Sequence, residues 1–381
     1  MLGSSGLAQL LCSCHPVTTW SDSLYRQAWP LIRLLPPELA HSLALLALRI
    51  HVPRYVPPPG GGFTWGGLTF RNRIGIAAGF DKSAQCLSGV ERLGVGFLEV
   101  GTVSLAPWPG LQDRPRVRRL LEHEAIWNRM GFPNDGCDRV RERLARYRQK
   151  PRGGMRVGCN IGPTPGVVAQ ATDAAEYLLS TSRQLQELAH ALFDYVDYFV
   201  VNLSSPNTRG LRGILGHPDL TKNLLVPLRE RLRSLDAQAG REVATPLLLK
   251  LPPEDLDRVP WSHETLSPLI VPILEAHAAD GFVATNTSTY LSRRLAAEFG
   301  SEELPGGVSG NPLRPLALSA VRLVRALAGN RVLVVGSGGV SCSAHAREFL
   351  EAGADLVELY SGMVYTGPGL VRRCIAGLAP A

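Results

Sequence analysis

Residues 201–208, Val-Asn-Leu-Ser-Ser-Pro-Asn-Thr, put five small hydrogen-bonding side chains (Asn202, Ser204, Ser205, Asn207 and Thr208) into eight positions. They come directly after the apolar run Tyr198-Phe199-Val200-Val201, which reads as a buried strand. A core has no use for such a cluster, because buried polar groups without partners are costly. A strand end that holds a polar ligand does need one. Two lysines stand in comparable places: Lys82 behind the run that begins at Ile74, and Lys250 in Leu247–Leu251. Lysine usually lays its stem on the surface and keeps its charge in water. Each of these two instead follows an apolar strand, which aims it at whatever the strand ends share. A cation there binds a substrate carboxylate or stabilises negative charge on a reduced ring. No His, Cys or carboxylate cluster at ligand spacing accompanies them, so no metal is expected.

The elements that must position these groups form a repeating pattern. Short apolar runs alternate with helical patterns from about residue 74 onward: Ile74–Phe80, Phe97–Gly101, Val157–Ile161, Phe199–Leu203, Leu247–Leu251, Phe282–Thr285, Val332–Val335 and Leu356–Tyr360. Helical periodicity follows most of them, as in Leu318–Ala328 and Ala344–Ala352. Continuous apolar strands alternating with helices imply a parallel sheet covered on its faces. Eight such units in about 300 residues fit a closed (β/α)8 TIM barrel, whose active site lies at the C-terminal strand ends. Every expected end carries glycine or a hydrogen-bonding group. In order these are Ala77-Ala78-Gly79-Phe80-Asp81-Lys82, Gly101-Thr102, Asn160, Asn202 with Ser205, Lys250, Thr285-Asn286-Thr287, Gly336-Ser337-Gly338-Gly339 and Tyr360-Ser361-Gly362. The seventh and eighth ends suit a phosphate, held by loop amides and a helix N-terminus. A phosphate-tailed cofactor across the barrel mouth is the natural inference. A further polar set, Asn128-Arg129-Met130-Gly131-Phe132-Pro133-Asn134, lies between the second and third strands. It reads either as a capped loop or as a substrate contact.

Two amphipathic segments precede the barrel. One starts near Ser21 and carries Leu24, Trp29, Leu31, Leu34 and Leu35, with Pro30 expected to kink it. The other opens at Pro36-Pro37 and presents Leu39, Leu43, Leu46, Ala47 and Ile50 on one face. As a pair they read equally as lids on the barrel or as an interfacial device that dips into a membrane. The domain reading is therefore a flexible extension (1–20), a helical element (21–56) and, after a Pro/Gly-rich linker, a barrel (63–381). Phe63–Arg73 reads as a hairpin plugging the floor, with Gly66-Gly67 as its turn.

Composition narrows the function classes. A net charge of +7 comes from arginines spread along the chain, with no basic run interleaved with aromatics, so nucleic-acid binding is not expected. Seven scattered cysteines argue for reduced thiols rather than a disulfide framework. Cys12-Ser13-Cys14-His15 lacks a second ligand pair for zinc. No apolar run approaches the ~20 residues of a membrane span, and the first residues lack the charged start of a secretory signal.

Several motifs, taken together and in order, resemble the class 2, membrane-associated, quinone-dependent dihydroorotate dehydrogenases over about residues 24–378. They are Ala77–Lys82, Asn128–Phe132, Asn202–Thr208, Thr285–Thr287, Gly306–Gly310 with Pro312-Leu313-Arg314, and Gly338–Val340. The resemblance implies an FMN-dependent barrel that oxidises dihydroorotate to orotate in pyrimidine synthesis and passes the electrons to a membrane quinone. It implies hydride transfer from the substrate's C6 while Ser205, where class 1 members use Cys, removes the C5 proton. Hydroxyls are poor bases, so that proton must leave through water or a neighbour such as Thr208, under a loop (209–217) able to close. Motif matching assigns substrate contacts to Lys82, Asn128, Arg129, Met130, Gly131, Phe132, Asn202, Asn207, Asn286 and Thr287. It assigns FMN to Ala77, Ala78, Gly79, Phe80, Asp81, Thr102, Asn160, Asn202, Lys250, Thr285, Gly310, Gly339, Tyr360 and Ser361. The segment Pro37–His41 resembles the family's quinone-tunnel helices, with His41, Arg119 and Tyr360 at lining positions. That favours the membrane reading of the helix pair: a peripheral protein, on the cytoplasmic face of a bacterial inner membrane or else a mitochondrial inner membrane. A monomer is compatible with the sequence.

Three positions depart from the family pattern. Gly162-Pro163-Thr164-Pro165 replaces a Gly-Lys-Asn-Lys run, Pro133 replaces an Asn after Phe132, and Ser337 replaces an apolar residue. Two other readings stand beside this one: another flavin barrel served by a nicotinamide donor, and a barrel that binds a phosphorylated ligand without turnover.

Overall fold

In the computed structural model, which describes residues 20–50, 52–150, 153–208, 210–300 and 304–379, eight strands close into a parallel barrel. They are β1 (Ile74–Ile76), β2 (Phe97–Val103), β3 (Arg156–Ile161), β4 (Tyr198–Asn202), β5 (Leu247–Leu251), β6 (Gly281–Ala284), β7 (Leu333–Ser337) and β8 (Leu356–Leu359). Each pairs with the next in sequence, and β8 returns to β1. All eight expected strands are present with small shifts at their ends. The protein is a (β/α)8 TIM barrel preceded by two helices. The strands form because they are buried on both faces, as in Leu247–Leu251, where every residue is buried.

The barrel is filled at its floor and open at its mouth. Phe97, Tyr198, Leu248, Val283, Leu333 and Leu356 pack inside it, over Phe70 from the hairpin beneath. The two rings fit because Gly75 and Gly158 have no side chain. A Cβ at Gly75 would lie 2.4 Å from the Phe97 ring, and one at Gly158 would lie 2.2 Å from that of Tyr198. The plug is an antiparallel hairpin, Phe63–Trp65 with Leu68–Phe70, and both turn glycines have positive φ.

The N-terminal helices are α1 (Trp20–Ile32), with Pro30 inside it, and α2 (Pro37–Ile50). The first packs on helix Ser361–Thr366 and the second on Leu87–Arg92. No residue of α2 is fully buried. Leu39, Leu46 and Ile50 face outward, as does Leu31 of α1, which is 72% exposed, while the exposed Leu24 and Leu43 also line the cavity described below. Residues 1–19, with the Cys12–His15 fragment, lie outside the described residues, as does Arg209 of the 209–217 loop. The described residues contain no helix long and apolar enough to cross a membrane.

One element was not anticipated. Val117–Leu120, Ala125–Asn128 and Gly307–Gly310 form a three-stranded antiparallel sheet over the mouth. It turns the expected loop around Asn128 into a strand end. Four-residue strands contributed by segments nearly two hundred positions apart leave no periodicity to read.

Candidate active site

The strand ends open onto one cavity of about 1620 Å³, lined at one end by the barrel mouth and at the other by α1 and α2. A single small-molecule pocket usually holds about 300–1,000 Å³, so this one has room for more than one ligand.

A chain of hydrogen bonds ties the polar strand ends together. Lys250 Nζ donates to Glu99 Oε1 at 3.2 Å and Asn160 Nδ2 donates to the same oxygen at 2.7 Å. Thr102 Oγ1 donates to Asn160 Oδ1 at 2.5 Å and accepts from Asn202 Nδ2 at 2.9 Å. Asn202 Oδ1 accepts from Ser204 Oγ at 3.0 Å, and Ser204 accepts from Asn286 Nδ2 at 2.8 Å. An ionised carboxylate only accepts. Glu99 therefore fixes the amide of Asn160, which fixes Thr102, then Asn202, then Ser204 and Asn286. One buried acid orients five side chains, Thr102 on its own strand and four more from three other strand ends.

Ser205 hangs from this chain without belonging to it. Its hydroxyl is buried and accepts from the Asn207 amide at 3.2 Å, and Thr208 Oγ1 donates to it at 3.4 Å. Lys82 Nζ donates to the Gly79 carbonyl at 2.7 Å. Burial pulls its ammonium down to about 8, against the opposing charges of Asp81 and Glu38.

An aromatic throat separates the polar mouth from the helices. The His41 ring meets Phe80 edge-on at 5.7 Å, and Phe80 meets Tyr360 edge-on at 5.8 Å. Burial, reinforced by the charge of Lys82, pulls His41 down to about 3, so it is a neutral imidazole. Beyond the throat α1, α2 and the turn between them are held by a few polar contacts, among them Arg114 with Glu38 and Arg119 with the Arg33 carbonyl. Tyr25 Oη donates to the Val364 carbonyl at 2.6 Å, Arg119 donates to the Leu35 carbonyl at 2.8 Å, and buried Arg116 pairs with Glu38 at 2.5 Å. Two more bonds from Arg116, to the Pro109 and Leu111 carbonyls at 2.7 and 3.1 Å, root it in the barrel.

Most residues singled out from the sequence line this cavity, including His41, Arg119, Tyr360, Lys82, Asn128, Phe132, Ser205, Asn207, Asn286, Lys250, Thr285 and Gly339. Four are placed elsewhere. Asp81 turns away, its oxygens taken by the Gln85 and Cys86 amides at 2.7 and 2.8 Å. Arg129 lies 5.8 Å over the Trp127 ring. Asn160 is buried one layer below, and Gly310 supports the sheet, where a Cβ would come 2.4 Å from the Glu124 carbonyl. Asn134, one position late, fastens its own loop to Ser104 at 2.8 Å. The Pro163-Thr164-Pro165 segment is anchored by Gln184, which accepts from the Thr164 amide at 2.9 Å. Sequence reasoning missed Glu38, Arg116, Glu99 and Glu358. Acidic residues next to apolar runs gave the only signal for the last two.

Fold and cavity together define a (β/α)8 barrel with a polar ligand site at its mouth, joined to a helix-lined apolar passage. Residues 63–381 match the family model described as dihydroorotate dehydrogenase. A dihydroorotate dehydrogenase (quinone) of Aromatoleum aromaticum is 39% identical, covering 92% of this chain and 94% of its own. One of a Nocardioides species is 41% identical, covering 90% and 93%. A crystal structure of ligand-free DHODH from Eimeria tenella superposes with a TM-score of 0.78 at 30% identity, covering 90% and 94%. The chain belongs to the dihydroorotate dehydrogenase family.

Proposed function

We propose that this protein oxidises dihydroorotate to orotate for pyrimidine synthesis, with bound FMN as the immediate acceptor and a membrane quinone as the final one. The observation that carries the reading is the single cavity that joins a polar, flat-ligand site to an apolar passage between two helices.

The residues present fit a flavin phosphate. Gly338 and Gly339 have φ of 142° and 73°, and a Cβ on Gly339 would lie 2.7 Å from the Gly310 carbonyl, so bare backbone lines the seventh strand end. Ala77–Gly79, Thr102, Lys250, Thr285, Tyr360 and Ser361 would flank the ring and its tail. When bound, the flavin supplies a two-electron acceptor that this chain's own side chains lack. Lys82, Asn128, Asn202, Asn207 and Asn286 would hold the substrate's carboxylate and ring edges, with Phe132 closing the pocket. Ser205 accepts the C5 proton. The Asn207 amide and the Thr208 hydroxyl fix its oxygen, and Thr208 is the neighbour able to pass the proton on. The Ser204–Asn202–Asn286 bonds keep the ring-holding amides pre-oriented, which serves the transition state at no cost during reaction.

The quinone would enter between α1 and α2, past His41, Arg119 and Tyr360. The outward leucines of both helices would seat in a bilayer surface, making the protein peripheral to the membrane. The test is anaerobic. The purified, yellow protein should bleach on adding dihydroorotate and regain its colour with a short-chain quinone, but not with fumarate or NAD. No bleaching would sink the proposal.

A further inference from the structure

Two carboxyl groups share the barrel interior with one ammonium. Glu99 on β2 accepts from both Asn160 and Lys250. Glu358 on β8, in register with Ser337 on β7, is also buried and lies on the cavity wall beside Lys250. Neither of its oxygens has a hydrogen-bond partner, and Lys250 Nζ stands 3.8 Å from Oε2. The remaining oxygen of Glu99 and the Tyr198 hydroxyl are likewise buried without partners. The groups facing this spot are Glu99 from β2, Cys159 and Asn160 from β3, Tyr198 from β4, Lys250 from β5 and Ser337 from β7. Strands β1 and β6 bring no titratable side chain. Burial drives the Cys159 thiol and the Tyr198 phenol upward, so both stay neutral.

Two carboxylates and one ammonium would leave an uncompensated buried negative charge, which proteins avoid by keeping a proton. Glu99 accepts from two donors at hydrogen-bond distance, whereas Glu358 has only longer contacts with Lys250 and Ser337 and lies against Glu99, so the geometry puts the proton on Glu358. We infer that Glu358 is a neutral, protonated acid in the folded protein and a positioning residue. Acting through Lys250, it sets the charge presented to the redox cofactor. The second half of this inference rests on the flavin reading above. Burial first, and then the charge of Glu99, push Glu358 upward. Burial pulls Lys250 down, and the charge of Glu99 outweighs it and holds the ammonium up. With the proton in place the trio is neutral and the Lys250 charge is available to a reduced, negatively charged ring. Loss of the proton adds a negative charge beside that ring and disfavours its reduction.

Infrared difference spectra of the flavin-free protein in H2O and D2O test the proton directly. A protonated carboxyl stretch is expected at neutral pH, lost in Glu358→Gln and kept, shifted, in Glu358→Asp. The midpoint potential of the bound flavin tests the role. It should be the same in Glu358→Gln and the parent at neutral pH. At alkaline pH the parent should fall below the variant as its carboxyl band disappears. Absence of the band, or a higher potential in Glu358→Gln already at neutral pH, would overturn the inference. Because the band is read without flavin, failure to bind flavin sinks the proposed function and still leaves the proton assignment decided.

Discussion

The barrel mouth and the helix pair line the same cavity and are built on opposite rules. At the mouth the polar side chains are buried or half-buried and most have a named partner, and one carboxylate orients a row of amides and hydroxyls across four strands. The helix pair is largely apolar, with one face on the cavity and the other exposed, and a handful of polar contacts hold it. Geometry is therefore over-determined where bonds are to be broken and loose where a hydrophobic ligand is to enter. The sharpest way to break this contrast is at Ser205. Ser205→Ala should slow flavin bleaching by dihydroorotate about 10²–10⁴-fold, the usual worth of a general base, while flavin stays bound. Stopped-flow absorbance under argon reads both. An unchanged rate would mean that the rigid mouth positions ligands without supplying the base.

The outer face of the helices should respond to charge and the mouth should not. Burying one leucine is worth about 1.5–3 kcal/mol, so Leu31→Glu with Leu46→Glu should weaken partition onto lipid vesicles by more than about tenfold. Bleaching in detergent should be unaffected. Equal partition in a vesicle-sedimentation assay would restore the alternative, a lid packed for its own sake. A smaller effect belongs to the Glu38–Arg116 pair. Arg116 is rooted in the barrel by two carbonyls, so Glu38→Gln loosens α2 and leaves the mouth intact. Part of the pair is exposed, which screens it. The expected loss is about 1.4 kcal/mol, or a roughly tenfold rise in quinone KM, with reduction by saturating dihydroorotate at or below pH 7 unchanged in separate half-reaction kinetics.

The same contrast governs what the sequence revealed. Strands buried on both faces write their period plainly, so all eight were legible, and so were the floor hairpin and both helices. The residues of the mouth were legible because a polar residue at the end of an apolar run is conspicuous. Asp81 and Asn160 show the limit of that signal. Both sit at strand ends, but one caps its own turn and the other lies a layer below the cavity, and spacing does not report which way a side chain points. Glu38 and Glu358 were missed for a related reason. Their meaning lies in partners 78 and 108 positions away, Arg116 and Lys250, and a linear pattern carries no trace of either contact.

The smallest effect is a pH dependence that separates the two ends of the cavity. Burial lowers the Lys82 ammonium from its ordinary value to about 8 in the absence of a bound anion. The charged form is the one that binds a carboxylate, and a depressed ammonium value means that this form is lost at lower pH than in free lysine. Below pH 7 the substrate site is fully cationic. Around pH 8 half the molecules have lost the charge, so the KM for dihydroorotate should be about doubled there and keep climbing above it. His41, held near 3, stays neutral over the same range, so the KM for quinone should be flat. Bound substrate, itself an anion, pulls the Lys82 value back up. The effect must therefore show in the KM for dihydroorotate and not in kcat. A rise in the quinone KM with the same midpoint would instead mean that the throat and the mouth titrate together, and that His41, Phe80 and Tyr360 do not insulate one region from the other.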